Sequence, residues 1–296
     1  MANLKEIRLR ITSVSSTQQI TKAMKMVSAA KLRRAQDAII QMRPYANKLR
    51  DIMENVSGSL DGNAGGQYAK ERKVEKVLIV AINSNRGLCG GFNANVIRTV
   101  NRLLNHEYAT QANAGQVKIL AIGKKASDFF NKKPASFAGH HNEVYNSLKF
   151  DVVAPIAESI MKQFADGTFD KVVLVYNQFK NAAVQNVQNE QLLPVTATAI
   201  VGAKAKSKTS SDYIYNPGKE EIVNDLIPRA VKTQLFKALL DSQASEHGAR
   251  MTAMSKATDN AQELLRDLRI TYNKARQASI TNEILEIVAG AEALKG

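Results

Sequence analysis

Between Gly218 and Ala293 the only glycines are Gly248 and Gly290, and the only proline is Pro228. A helix over that stretch would run about 110 Å at 1.5 Å per residue, so most of it must be braced by another helix and not enclosed by a domain. The positions suited to face a partner are largely small: Ala238, Ser242, Ser245, Ala249, Thr252, Ala257 and Ala261. Small residues let two helix axes approach closely.

A partner is legible at the other end of the chain. Leu4, Ile7, Ile11 and Val14 recur at spacings of three and four, and Ala35, Ile39, Met42, Ala46, Leu49, Met53 and Val56 resume the rhythm. Such spacing is the seam of a long helix packed on a helix. Polar residues in "SSTQQITK" interrupt the stripe, so the seam there is expected to be weak or to face a different neighbour. Pro44 removes a backbone donor and should kink or break the helix, and the spacing beyond it favours a kink.

Between the two helical ends lies a different pattern. Residues 57–73, "SGSLDGNAGGQYAKERK", are polar and glycine-rich, which marks a linker. Three apolar runs follow, at 76–82, 117–123 and 171–177, separated by helix-like stretches. Continuous Val/Ile/Leu strands alternating with helices predict a parallel sheet covered on both faces. "QNVQNEQLLPVTATAIV" predicts a hairpin or edge strand, and "GAKAKSKTSS" a second linker. The expected organisation is an N-terminal coiled-coil helix over 1–57, the linker over 58–73, an inserted α/β domain over 74–211 and a C-terminal coiled-coil helix over 212–296. The predicted fold is thus a Rossmann-like α/β domain inserted between two helices that form an antiparallel coiled coil.

The chain is 44% apolar, enough for a sizeable core, yet no apolar run reaches the roughly 20 residues that span a bilayer. The amino terminus lacks the apolar stretch of a signal peptide. A single cysteine, Cys89, allows no intramolecular disulfide, and a buried, inert thiol is expected there. The net charge of +14 is concentrated: residues 1–50 hold eleven lysines and arginines against Glu6 and Asp37. A solvated helix face, nucleic acid, anionic lipid or an acidic protein could each answer that charge.

"NRGLCGGFN" places Gly87, Gly90 and Gly91 between a strand and a helix, where nucleotide phosphates often bind. The spacing G-x-x-G-G is not the dinucleotide fingerprint, and "IGKKAS" fails as a phosphate loop. The glycines are therefore expected to serve a tight turn and a close backbone approach. No nucleophile elbow, C-x-x-C or H-E-x-x-H occurs, and His106, His140, His141 and His247 lack ligand spacing. No catalytic, cofactor-binding or metal residue is assigned.

Four stretches in order resemble the gamma subunit family of F-type ATP synthases, of bacterial type. They are "IRLRITSVSSTQQITKAMKMVSAAKLRRAQ", "RGLCGGFN", "SEHGARMTAMSKATDNA" and "YNKARQASITNEILEIVAGAEAL". Asn85 stands where that family usually has Asp, and Asn216 where Glu is common. The absence of a transit peptide and of a cysteine pair suits a bacterial member. The resemblance implies a non-catalytic rotor shaft, a single copy within three alpha and three beta subunits, meeting the epsilon subunit and the ring of c subunits. It implies a peripheral place on the cytoplasmic face of the inner membrane, coupling proton flow to ATP synthesis and hydrolysis. It places torque-coupling contacts at Met24, Lys25 and Arg250 and, further along the closing helix, at Arg276, Gln277, Thr281 and Glu283. For Met24, plain core packing is an equal reading. The rival from another class is a basic coiled-coil protein that binds nucleic acid. Tyr45 is the only aromatic among the first 50 residues, so base stacking has little to work with.

Overall fold

The computed structural model describes residues 4–57, 66–70, 72–132, 136–195 and 219–293. Two compact units form, one from Ala29–Ala249 and one from Met1–Ser28 with Arg250–Gly296. Both long helices, α1 (Leu4–Ser57) and α5 (Lys219–Ala293), contribute to each unit.

The larger unit is built on five strands: β1 (Val77–Ile82), β2 (Val117–Ile122), β3 (Phe137–His140), β4 (Lys171–Phe179) and β5 (Gln185–Leu193). Their spatial order is β3-β2-β1-β4-β5. The first four run parallel, with Ile79 opposite both Ile119 and Val173, and β5 returns antiparallel to β4. The three apolar runs read from the sequence are β1, β2 and β4. β5 is both hairpin partner and edge strand, while residues 196–201 lie outside the described residues.

Every residue of β1 is buried, as a strand covered on both faces requires. One face carries Leu78, Val80 and Ile82 against α4 (Phe150–Ala165) and the α5 residues Ile227, Val231, Leu235 and Leu239. The other carries Val77, Ile79 and Ala81 against α2 (Phe92–Arg102), α3 (Lys124–Phe130) and Tyr108. A T-shaped pair of Phe150 and Phe236, with ring centroids 5.7 Å apart, and an ion pair of 2.6 Å between Lys232 and Glu158 bind α5 to α4.

α1 is continuous through Pro44, so the break is excluded, and Ile39 and Leu49 on either side of it are both buried. Proline at that position leaves one carbonyl without its usual donor, a loss an exposed helix face can hand to water.

The smaller unit is a pair of antiparallel helix segments. As residue numbers rise on α1 they fall on α5: Arg8 donates to the Tyr272 hydroxyl at 2.9 Å, the Thr258 hydroxyl to that of Thr21 at 2.8 Å, and Lys25 Nζ to Ser255 Oγ at 3.0 Å. Ile7 is buried from α1, and Met254, Ala261, Leu265 and Leu268 from α5. Through "SSTQQITK" the neighbour is still α5: Thr21 is the one buried residue of that stretch and accepts from Thr258. Beyond it Ser28 is buried and donates to the Met24 carbonyl at 2.7 Å. α5 brings Met254, Leu265 and Leu268 to the seam beside the small Ala261.

Candidate functional site

The glycine-rich turn follows β1 directly. Gly90 has φ +58°, and Leu88 is also left-handed at φ 61° while standing 64% exposed. Gly91 has φ −78° at the start of α2, and nothing but Lys125 Cε approaches a side chain built on Gly87. The polar groups of the turn are spent on one another. Asn93 Nδ2 donates to Ser84 Oγ at 2.8 Å and to Cys89 Sγ at 3.1 Å, the Ser84 amide donates to Asn93 Oδ1 at 3.1 Å, and Ser84 Oγ donates to the Arg86 carbonyl at 2.6 Å. Cys89 itself is buried.

The order of the sheet reverses between β1 and β4, and sheets of this kind take ligands in the crevice beyond the carboxyl ends of those strands. Here the crevice is filled by the chain itself. Asn177 of β4 donates through Nδ2 to the Phe92 carbonyl at 3.2 Å, and Ser245 of α5 donates to the Asn177 carbonyl at 3.0 Å. Phe92, Asn177 and Ser245 are all buried.

The closest backbone approach lies in "IGKKAS". Gly123 has φ +110°, and a side chain there would come within 2.1 Å of the Asn83 carbonyl oxygen. Asn85 reaches from the turn to two other loops, donating through Nδ2 to the Asn142 carbonyl at 2.8 Å and accepting from the Lys124 amide at 2.9 Å. An aspartate could make only the second of these bonds, so asparagine at this place holds the turn to the loop after β3. Asn216 lies outside the described residues. Among the described residues no three of His, Cys, Asp and Glu gather as a metal site.

The positions singled out on the long helices divide into two groups. Met24 is half-buried on the seam, Lys25 leans on Ser255, and Arg250 is buried at 7% exposure. Arg276, Gln277, Thr281 and Glu283 are all exposed. The Thr281 hydroxyl donates to the Gln277 carbonyl at 2.9 Å and Ser279 donates to Glu283 at 3.2 Å, bonds along a single helix face that leave the side chains of Arg276 and Gln277 directed outward. With Arg8 opposite Tyr272, the antiparallel register brings the first described residue of α1, Leu4, level with Arg276, and no described residue of α1 lies opposite the later turns of α5.

Those later turns carry a signal that charge and motif reading passed over. Ile280, Ile284, Leu285, Ile287 and Val288 are 47–71% exposed, and at about 100° per residue they share one broad side of the helix. Five large apolar side chains in nine residues form an exposed apolar patch of the kind that marks interaction surfaces. The apolar content of "ITNEILEIV" was there to find it.

A family model described as ATP synthase matches residues 3–294. The ATP synthase gamma chain of Flavobacterium johnsoniae is 59% identical over the whole of both chains. That of Cytophaga hutchinsonii is 50% identical over 99% of each, and that of Chlorobaculum tepidum 47% identical over all of both. Among solved structures, the central stalk and c-ring of the Tetrahymena thermophila mitochondrial ATP synthase contains a chain 27% identical, with a TM-score of 0.58 over 80% of this chain and 99% of that one. A rotor chain of the Euglena gracilis mitochondrial enzyme shares the fold at 21% identity, with a TM-score of 0.64 over 94% and 98%. The nucleic-acid reading finds no support among these matches.

Proposed function

The chain belongs to the ATP synthase gamma chain family, a non-catalytic subunit, and we propose that its closing helix is the part that transmits rotation to the catalytic subunits. One copy would stand within three alpha and three beta subunits, with the epsilon subunit and the c-ring as its other contacts. It would lie peripherally on the cytoplasmic face of the bacterial inner membrane and couple proton flow to ATP synthesis and hydrolysis. No helix among the described residues is long and apolar enough to cross a membrane, which agrees with a peripheral place.

The observation that carries this reading is the uncovered end of α5. Its five exposed apolar residues need an enclosing wall, and Arg276 and Gln277 present polar groups at its base. Arginine suits a contact that must form and release, because its planar fork grips a carboxylate through two bonds without a covalent commitment. An asymmetric helix pair turning inside a ring meets each beta subunit with a different face, and differential contact shifts each site among conformations of different nucleotide affinity. A charge-assisted hydrogen bond of roughly 1.5–3 kcal/mol is enough to move such a population without locking the shaft.

Gly87, Gly90 and Gly91 serve the turn in this reading, which the internally bonded Ser84, Cys89 and Asn93 support. Met24 acts as packing, and Lys25 and Arg250 support the seam as well as any outer contact. The test is the double variant Arg276→Ala, Gln277→Ala in the assembled complex. Assembly should persist while steady-state ATP hydrolysis and synthesis fall several-fold. Wild-type turnover in an assembled complex would remove the latch role, and failed assembly would make the pair structural.

A further inference from the structure

An open pocket of about 580 Å³ lies within the larger unit, walled by α1, by β4 and β5, and by α5. Its volume falls in the range of small-molecule sites, roughly 300–1,000 Å³. The inner wall is apolar, with Ile39, Leu49, Leu192 and Val231 each at most 8% exposed.

The charged residues on it are sorted by depth. Asp241 is 7% exposed and Glu190 half-buried, whereas Arg43 and Lys237 are exposed. Glu190 accepts from the Tyr176 hydroxyl at 2.8 Å. Asp241 has no close hydrogen-bond partner among the described residues; Lys237 and Arg43 act on its charge, and its carboxylate oxygens face the pocket without being fully enclosed. Acid thus lines the inside and base the mouth.

We propose that this pocket binds a small amphipathic zwitterion, its ammonium group directed inward to Asp241 and Glu190, its acid group held at the mouth by Arg43 and Lys237, and its apolar body against the aliphatic wall. An ammonium supplies the close donors that the Asp241 carboxylate lacks, and three donors on one nitrogen can serve two carboxylates at once. The groups facing Asp241 are Lys237 on its own helix, Arg43 on α1 and Glu190 on β5, with Tyr176 behind Glu190. Burial, reinforced by Glu190 and opposed by Lys237 and Arg43, raises the Asp241 carboxyl from 3.8 to about 6. Binding of a cation therefore weakens as the pH falls through that value.

Calorimetric titration of the full-length chain with the dipeptide leucylleucine tests the site. N-acetyl-leucylleucine, which lacks the ammonium, and leucylleucine amide, which lacks the acid, serve as comparison probes. Saturable binding at pH 7.5 is expected, weakened about tenfold or more by Asp241→Asn and by acetylation of the probe, since each removes one charge-assisted contact. Lowering the pH to 5 should weaken binding to the wild-type chain and leave the Asp241→Asn variant unmoved. If that variant does not melt cooperatively, Arg43→Ala at the exposed mouth replaces it: leucylleucine should then bind more weakly while its amide binds as before. No saturable heat up to about 10 mM, well beyond the weakest affinity such contacts give, overturns the proposal. So does equal binding by wild type and variant.

Discussion

α5 passes through two environments. From Ala238 to Gly248 all but one residue is buried, including Asp241, Ser242, Ser245, Glu246 and His247, because this part is packed against the sheet and against α1. From Ile280 to Ala293 every residue is exposed, although the sequence there is more apolar. Burial in this chain is therefore decided by what stands opposite a residue and not by how hydrophobic it is. The same holds between the two units: the sheet unit buries whole strands on both faces, while the helix pair buries only Ile7, Thr21 and Ser28 of α1 and Arg250, Met254, Ala261, Leu265 and Leu268 of α5. The first has depth to lose, and the second does not.

Gly123→Ala should break the sheet unit most severely. The new side chain would need to displace the Asn83 backbone, and the backbone at φ +110° is strained for any other residue. A loss above about 4 kcal/mol, or failure to fold, is expected in urea denaturation. Retention of stability within about 1 kcal/mol would show that the β1 and β2 ends can separate at little cost.

Truncation sharpens the same contrast. Ile79→Ala, at a site with no exposure between two parallel neighbours, should cost about 4 kcal/mol, whereas Leu265→Ala on the seam, which can partly collapse or hydrate, should cost about 2. Equal losses would mean that the seam is packed as tightly as the sheet.

Acidity separates the two stretches of α5 in another way. Because the folded-state value of Asp241 is raised from 3.8 to about 6, the stability linked to its neutral form is fully present below about 3.8 and is lost as the pH rises through 6. Asp241→Asn should therefore be more stable than the wild type at pH 8, by on the order of 2 kcal/mol, and nearly equal to it at pH 4. Thermal melts at the two values decide this.

The smallest effect comes from the two helix glycines. An added side chain at Gly248 would meet Ala182 Cα at 3.2 Å and Phe179 at 3.4 Å, so Gly248→Ala should lose about 1 kcal/mol despite the better helix propensity. Gly290 has nothing within 4 Å, and Gly290→Ala should gain up to about 1 kcal/mol. Helicity and melting temperature of the two variants should move in opposite directions.

These contrasts explain what the sequence made legible. Strands β1, β2 and β4 announce themselves because a strand buried on both faces must be apolar throughout. β3 did not, since Phe137, Ala138, Gly139 and His140 form a four-residue edge with alternating exposure and a glycine at φ +139°. Paired long helices are readable from spacing, but their seam through Thr21 and Ser28 is not, because hydroxyls satisfied by another hydroxyl or by a helix carbonyl leave no apolar trace. On the turn, three glycines drew the eye, while the one under the tightest approach, Gly123, sat in a motif set aside for lacking phosphate-binding spacing. On the uncovered end of α5, Arg276, Gln277, Thr281 and Glu283 come from resemblance, while Ile280, Ile284, Ile287 and Val288 stand at helical spacing in the sequence itself.

The polar rungs between α1 and α5 also set a length. An apolar seam alone tolerates sliding by seven residues, because the next heptad returns aliphatic side chains to the same line. Arg8 with Tyr272, Thr21 with Thr258 and Lys25 with Ser255 would all lose their partners in such a slip. These three bonds act as an index mark: they add little energy, yet they decide how far the closing helix projects beyond its partner. A slip of one heptad would lengthen or shorten that projection by about 10 Å. The reach of the uncovered end is thus specified by hydroxyls, a guanidinium and an ammonium some distance back along the pair, and not by the length of either helix.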